Sequence, residues 1–303
     1  MRISFALAAL LFSATPALAA PEIVVDTPIT GSLVQHVMGD LGTIHVLMPA
    51  GTSVHHHQMR PSDAGALQDA DALIWTGPEL TPWLERASRS LGQGSVQLRL
   101  LDIKGTTLRS YDDRHADQHD EDHGHGHGHA DNDPHAWLNP ENTALWLSEI
   151  AKQLGALDSE NAAIYSANAQ AVAARLDEMD SAIRAQLAPV ADKHFVVFHD
   201  AYGYFTDHYG LSPALAVSPG DASTPSAARI SELRAAITES GATCAFPEFA
   251  QDTKLIVAAS EGTGIKTGAA LDPEGAGIEA GPMLYGHVMQ GLADSLTDCL
   301  SAE

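Results

Sequence analysis

The sequence predicts an α/β protein of two lobes, each a mostly parallel sheet with flanking helices, joined by one long helix. Two features of the pattern carry this. Short apolar runs alternate with helical-period segments through both halves of the chain, and strand, helix, strand at such spacing argues for parallel sheets. The longest helical signal, residues 159–188, lies midway along the chain, with Val172, Leu176, Met179, Ile183 and Leu187 repeating at intervals of three and four. The length agrees, since 303 residues suit two domains better than a single core.

Residues 1–19 read as a secretory signal peptide. Arg2 precedes an apolar run from Ile3 to Phe12, and small residues close the segment, with cleavage expected near Ala19. No Cys lies near this box to take a lipid anchor. In the first lobe, 20–154, strands are expected at 23–25, 44–48, 72–75 and 96–101, with helices at 33–38, 62–70 and 80–91 between them. A further helix is expected over 140–154. The linking segment, 155–190, holds the central helix, which Asp158 or Ser159 can cap and Pro189 ends. Thirty residues at 1.5 Å per residue make a rod of roughly 45 Å, more than either half needs for its own packing. The second lobe, 191–303, repeats the grammar, with strands at 195–198, 215–217, 243–246 and 265–270 and helices at 201–209, 225–240, 252–260 and 282–297. Thr224-Pro225-Ser226 suits the start of one of these helices. The two halves share this architecture without a detectable sequence repeat.

Composition narrows the function. With 16 Lys and Arg against 39 Asp and Glu, the formal net charge is −23. Such a surface repels nucleic acid and anionic lipid and attracts cations. Nothing after the leader approaches the roughly 20 apolar residues that span a bilayer. The two cysteines, Cys244 and Cys299, are most simply read in an exported chain as one disulfide.

The chemistry concentrates around residues 115–140. Residues 115–129 carry six His among Gly and acidic residues. With almost no apolar surface to bury, this loop is expected to be mobile, solvated and able to bind zinc, copper or nickel loosely. His135 differs from these, because Pro134 restricts the chain before it and Trp137-Leu138 can anchor the chain after it. Three further residues fall, like His135, past the end of an expected strand, where open α/β sheets place ligands. They are His55 in Gly51-Thr-Ser-Val-His55, His199 after Phe195-Val-Val-Phe198, and Asp272 in Leu271-Asp272-Pro273. Their spacings of 80, 64 and 73 residues suit a site closed between lobes rather than a local staple of close ligand pairs.

The blocks Gly-Thr-Ser-x-His with Arg60-Pro-Ser-Asp63, Asp133-Pro-His-Ala-Trp-Leu-Asn-Pro140, Phe198-His-Asp-Ala-Tyr-Gly-Tyr-Phe205 and Leu271-Asp-Pro273 resemble those of the zinc-binding solute-binding proteins of bacterial ABC importers. The resemblance covers nearly all of the mature chain. It implies two α/β lobes joined by a rigid helix, metal held in the cleft by His55, His135, His199 and Asp272, a periplasmic location, and delivery of Zn2+ to an ABC-transporter permease in the membrane. A periplasmic zinc chaperone is a further partner to expect, and the chain is expected to be a monomer and not an enzyme. Where the family usually has one His, this chain has His55, His56 and His57. Counting back from Arg60 favours His55, and the other two remain alternatives. Three imidazoles and one carboxylate suit tetrahedral zinc, whereas manganese prefers more oxygen. Glu248 in Phe246-Pro-Glu248 is read as either an outer carboxylate offsetting the metal's charge or an ordinary surface or capping residue. Asp200 is expected to cap a helix.

Two other readings use the same residues. A periplasmic metal buffer without a permease would need no change to the ligand set. A zinc hydrolase would free Asp272 and use Glu248 as a base, but the chain has no His-Glu-x-x-His, no Gly-x-Ser-x-Gly and no nucleophile constellation.

Overall fold

The computed structural model describes residues 20–302 apart from 53, 55, 56, 58, 112–131, 219 and 221. The expected signal peptide, the whole His-rich loop 115–129, and both His55 and His56 therefore lie outside the described residues.

The first half contains β1 (Glu22–Val25), α1 (Pro28–Met38), β2 (Thr43–Val46), α2 (Pro61–Asp69), β3 (Ala72–Trp75), α3 (Pro82–Leu91) and β4 (Val96–Arg99), followed by α4 (Pro140–Leu157). The four strands form one parallel sheet in the order β2-β1-β3-β4. All four helices begin with Pro in the first turn, where its missing N–H costs nothing and its fixed φ is already helical. Thr27 and Asn139 cap α1 and α4 through their side chains. Buried Asp26 ties two strand ends together by accepting the amides of Thr27 and Thr76, each at 2.8 Å.

After α5 (Ala162–Leu187), the second half contains β5 (Phe195–His199), α6 (Gly203–Tyr209), β6 (Leu215–Ser218), α7 (Ala227–Ser240), β7 (Cys244–Phe246), α8 (Thr253–Ser260), β8 (Lys266–Thr267) and α9 (Leu284–Leu300). Its sheet, β6-β5-β7-β8, is again parallel and has the same topology as the first. In each half the chain goes to one side of the first strand and then crosses to the other, which opens a crevice at the carboxyl ends of the central strands. Among the described residues no helix is long and apolar enough to cross a membrane.

Several expected boundaries move for identifiable reasons. The central helix begins at Ala162 rather than 159 because Asp158 turns the chain. Its carboxylate accepts from Asn161 N at 3.4 Å, Asn161 Nδ2 at 2.7 Å and Tyr165 Oη at 2.8 Å. The strand expected at 265–270 shrinks to two residues. Gly268 lies so close under Phe246 that a Cβ there would meet the ring at 2.3 Å. Asp200 does not cap α6, whose N-cap is Tyr202.

At 26 residues α5 is a rod of about 39 Å. Tyr165, Ala169, Val172, Leu176, Ile183 and Leu187 form its buried stripe. Asn168 Nδ2 donates to Val37 O of α1 at 2.9 Å, and Gln186 Nε2 donates to Asp294 Oδ1 of α9 at 2.9 Å, so the helix packs on both halves. One apolar core runs from Ile23 and Val25 through α4, α5 and α9 to Phe195 and Val197. Separate clusters cover the opposite sheet faces, around Leu73 and Trp75 in the first half and around Val196 and Ala245 in the second.

Cys244 and Cys299 form a disulfide that ties β7 to α9. It closes 55 residues of sequence separation, which in the chain-entropy account stabilises by about 4 kcal/mol. The Cys244→Ala/Cys299→Ala double variant is expected to unfold at clearly lower urea concentration than the oxidised protein. Coincident urea midpoints would show that the crosslink contributes little.

Candidate metal centre

His199 is the last residue of β5, placed by a fully buried Phe-Val-Val-Phe run at the crevice of the second sheet. His135 is held just before a single 3-10 turn, 136–138, and α4. Trp137 anchors this segment with Nε1 donating to Pro273 O at 2.9 Å, and Tyr285 Oη donates to Trp137 O at 3.0 Å. Both imidazoles are fully buried, and their Nε2 atoms lie 3.3 Å apart.

Each His has a carboxylate on its other nitrogen. His135 Nδ1 donates to Asp133 Oδ1 at 2.7 Å, and His199 Nδ1 donates to Glu248 Oε2 at 2.7 Å. A carboxylate accepts only, so these bonds place the ring protons on Nδ1 and turn both Nε2 lone pairs toward each other. Two lone pairs at that distance repel unless a proton or a cation lies between them. Two nitrogens bound to one tetrahedral zinc at 2.0–2.1 Å each would be about 3.3–3.4 Å apart, which matches the observed separation. Carboxylates on the outer nitrogens also fix the orientation of the rings, as in carboxylate–histidine–zinc triads. Glu248 is buried rather than at the surface, and Tyr202 Oη donates to the same oxygen at 3.0 Å.

A third donor joins them. Among the described residues, the atoms of His135, His199 and Glu274 come within 4.8 Å of one another. Glu274 is buried, and its Oε2 accepts Val54 N at 3.1 Å. That bond brings the chain position immediately before His55 to the site. Burial pushes the Glu274 carboxyl up to about 7, with negative Glu248 and Asp272 nearby adding to the rise. Burial opposes charge on His199, but the Glu248 carboxylate outweighs it and leaves the imidazole above its ordinary range. Two buried histidines facing several carboxylates form a site prepared for a divalent cation.

Asp272 lies outside this group. Its Oδ1 accepts Ala276 N at 2.9 Å and its Oδ2 accepts Gly277 N at 2.8 Å, closing a turn that presents Glu274. Gly51 N donates to Ala276 O at 2.7 Å, fastening the turn to the first half. Of the three consecutive histidines only His57 is described, and its ring packs against Trp83 of α3 at 5.3 Å. Glu274 and Asp133 were not singled out from the sequence. Each is two residues from an expected ligand, and a carboxylate that close to a ligand is the signal the sequence offers.

The family model for zinc-uptake complex component A, periplasmic (ZnuA), matches residues 23–299. The chain belongs to this family. It is similar to the high-affinity zinc uptake system protein ZnuA of Paracoccus denitrificans, with 50% identity covering 98% of this chain and 97% of that one. A crystal structure of ZnuA superimposes with a TM-score of 0.75 at 26% identity, covering 91% of this chain and 99% of that one. The periplasmic zinc-binding protein TroA from Treponema pallidum shares the fold, with a TM-score of 0.79 at 19% identity over 93% and 99% of the two chains. The two parallel sheets flanked by helices are thus the architecture of ZnuA-family members. Family members are named as components of zinc uptake.

Proposed function

We propose that this ZnuA-family chain binds zinc with high affinity in the periplasm and delivers it to the membrane permease of an ABC importer, acting as a transport component rather than an enzyme. The observation that carries this is the pair of buried imidazoles with Nε2 atoms 3.3 Å apart, each oriented by a carboxylate. In this reading the leader is removed near Ala19. Segments 20–154 and 191–303 act as lobes joined by 155–190, the chain works as a monomer, and a zinc chaperone is a second periplasmic partner.

The shell consists of three imidazoles and one carboxylate. His135 and His199 supply two of the imidazoles, and His55 is proposed as the third. The carboxylate expected from the Leu-Asp-Pro block is Asp272, but the donor atom near the two imidazoles belongs to Glu274. Both residues lie on the turn that the Asp272 side chain closes, and the two assignments differ in a measurable way. Protein purified without added metal and titrated with zinc against a competing chelator should bind one tight equivalent per chain. Glu274→Gln should weaken that equivalent by more than about 100-fold, beyond what losing an outer partner costs. Asp272→Asn should cost less, because its amide oxygen still accepts an N–H of the turn. The reverse order would return the ligand role to Asp272, and a wild-type chain taking up no tight zinc would overturn the function.

A further inference from the structure

The orientation of His135 depends on Asp133, and Asp133 is held from both halves of the molecule. Its Oδ1 accepts His135 N at 3.0 Å, His135 Nδ1 at 2.7 Å and the Tyr111 hydroxyl at 3.3 Å. Its main-chain carbonyl accepts Tyr204 Oη of α6 at 3.0 Å, and that hydroxyl in turn accepts Arg109 N at 2.8 Å. Ser110 bridges antiparallel to Asn132, and Asp133 N donates to Arg109 O. Residues 109–111 are therefore a short strap fastened along the segment that carries His135.

Side chains on either side of Ser110 reach into the second half, each at a glycine. The Arg109 guanidinium pairs with Asp207 and occupies the space at Gly203, where a Cβ would come within 2.6 Å of Nε. The Tyr111 ring does the same at Gly220, where a Cβ would lie 2.1 Å from both Cζ and the hydroxyl oxygen. This close approach leaves no room for a side chain at Gly220.

We propose that Tyr111 is a positioning residue for zinc retention. Its hydroxyl keeps Asp133 aligned on His135 Nδ1, and its ring, seated on Gly220, makes that alignment depend on contact between the two halves. The inference rests on the zinc-binding reading above. A misaligned carboxylate lets the imidazole swing out of the position that faces His199, so the cleft holds zinc less firmly. Separation of the halves would withdraw the ring from Gly220 and loosen the same ligand, linking opening to release.

The test compares Tyr111→Phe, Tyr111→Ala, Gly220→Ala and the Tyr111→Ala/Gly220→Ala double variant in the full mature chain. Zinc dissociation into excess chelator, the visible spectrum of the cobalt-substituted protein and thermal unfolding of the metal-free form are measured for each. At 3.3 Å the hydroxyl contact is long for its type, so Tyr111→Phe should speed zinc loss about 10-fold, the lower end for an outer partner. It should also shift the cobalt spectrum and leave metal-free unfolding unchanged. Gly220→Ala should speed release in the wild-type background and add little once the ring is gone in Tyr111→Ala. Wild-type release and spectrum in Tyr111→Phe would overturn the proposal, as would an equal effect of Gly220→Ala with and without the ring. Failure of the zinc-binding reading would be visible separately, as a wild-type chain that takes up no zinc.

Discussion

His199→Ala is expected to abolish tight zinc binding while leaving a folded, disulfide-bonded chain. The removed Nε2 lies 3.3 Å from that of His135, and no described side chain beyond Glu274 shares their cluster. Loss of an outer carboxylate typically costs 10–100-fold in metal affinity, and loss of the ligand itself should exceed about 100-fold. The substitution also leaves the buried Glu248 carboxylate with the Tyr202 hydroxyl as its remaining side-chain partner among the described residues, so some loss of stability accompanies it. Circular dichroism separates that loss from unfolding, and competition titration reads the affinity. A folded His199→Ala protein with wild-type zinc affinity would remove His199 from the shell.

Acidification is expected to have the second-largest effect. A bound imidazole must be neutral and a bound carboxyl ionised, so each group that takes up a proton competes with the metal. In the metal-free chain the His199 pKa is raised, so protonation there begins above the usual His range as pH falls. Burial pushes Glu274 up to about 7, so it also gains its proton near neutrality rather than near 4.5. Both shifts act in the same direction, with affinity highest above about pH 7.5 and falling as pH drops through 7. Between pH 7.5 and 5.5 the two protons together should weaken binding by about 100-fold or more. Chelator competition across that range measures it. A flat profile down to pH 6 would mean that neither group must lose a proton on binding.

Each histidine sits in a line of imidazole, carboxylate and phenol, His135–Asp133–Tyr111 and His199–Glu248–Tyr202. The second line is entirely buried in the second half. In the first, His135 and Asp133 are buried and Tyr111 is half-buried in the strap, so it is where contact between the halves can alter a ligand.

Local chemistry made much of this protein legible from the sequence. Alternating apolar runs and helical periods determined two parallel sheets, because a strand buried on both faces and a helix with one apolar stripe have few ways to pack. A pair of cysteines in a chain with an expected leader likewise indicated a crosslink without reference to the rest of the fold, whereas the start of α1 at Pro28, five residues before the expected 33, shows that helical period alone locates a helix better than its first turn. His135 and His199 stood out because each is fixed beside a rigid apolar anchor. The tertiary structure alone decided which carboxylates face them. Asp272 and Glu274 are two residues apart in one turn, and main-chain amides of Ala276 and Gly277 occupy the first while burial against Val54 turns the second inward. That choice depends on where a loop from the other half meets the turn, a contact spanning 220 residues of sequence, and local pattern carries no information at that range.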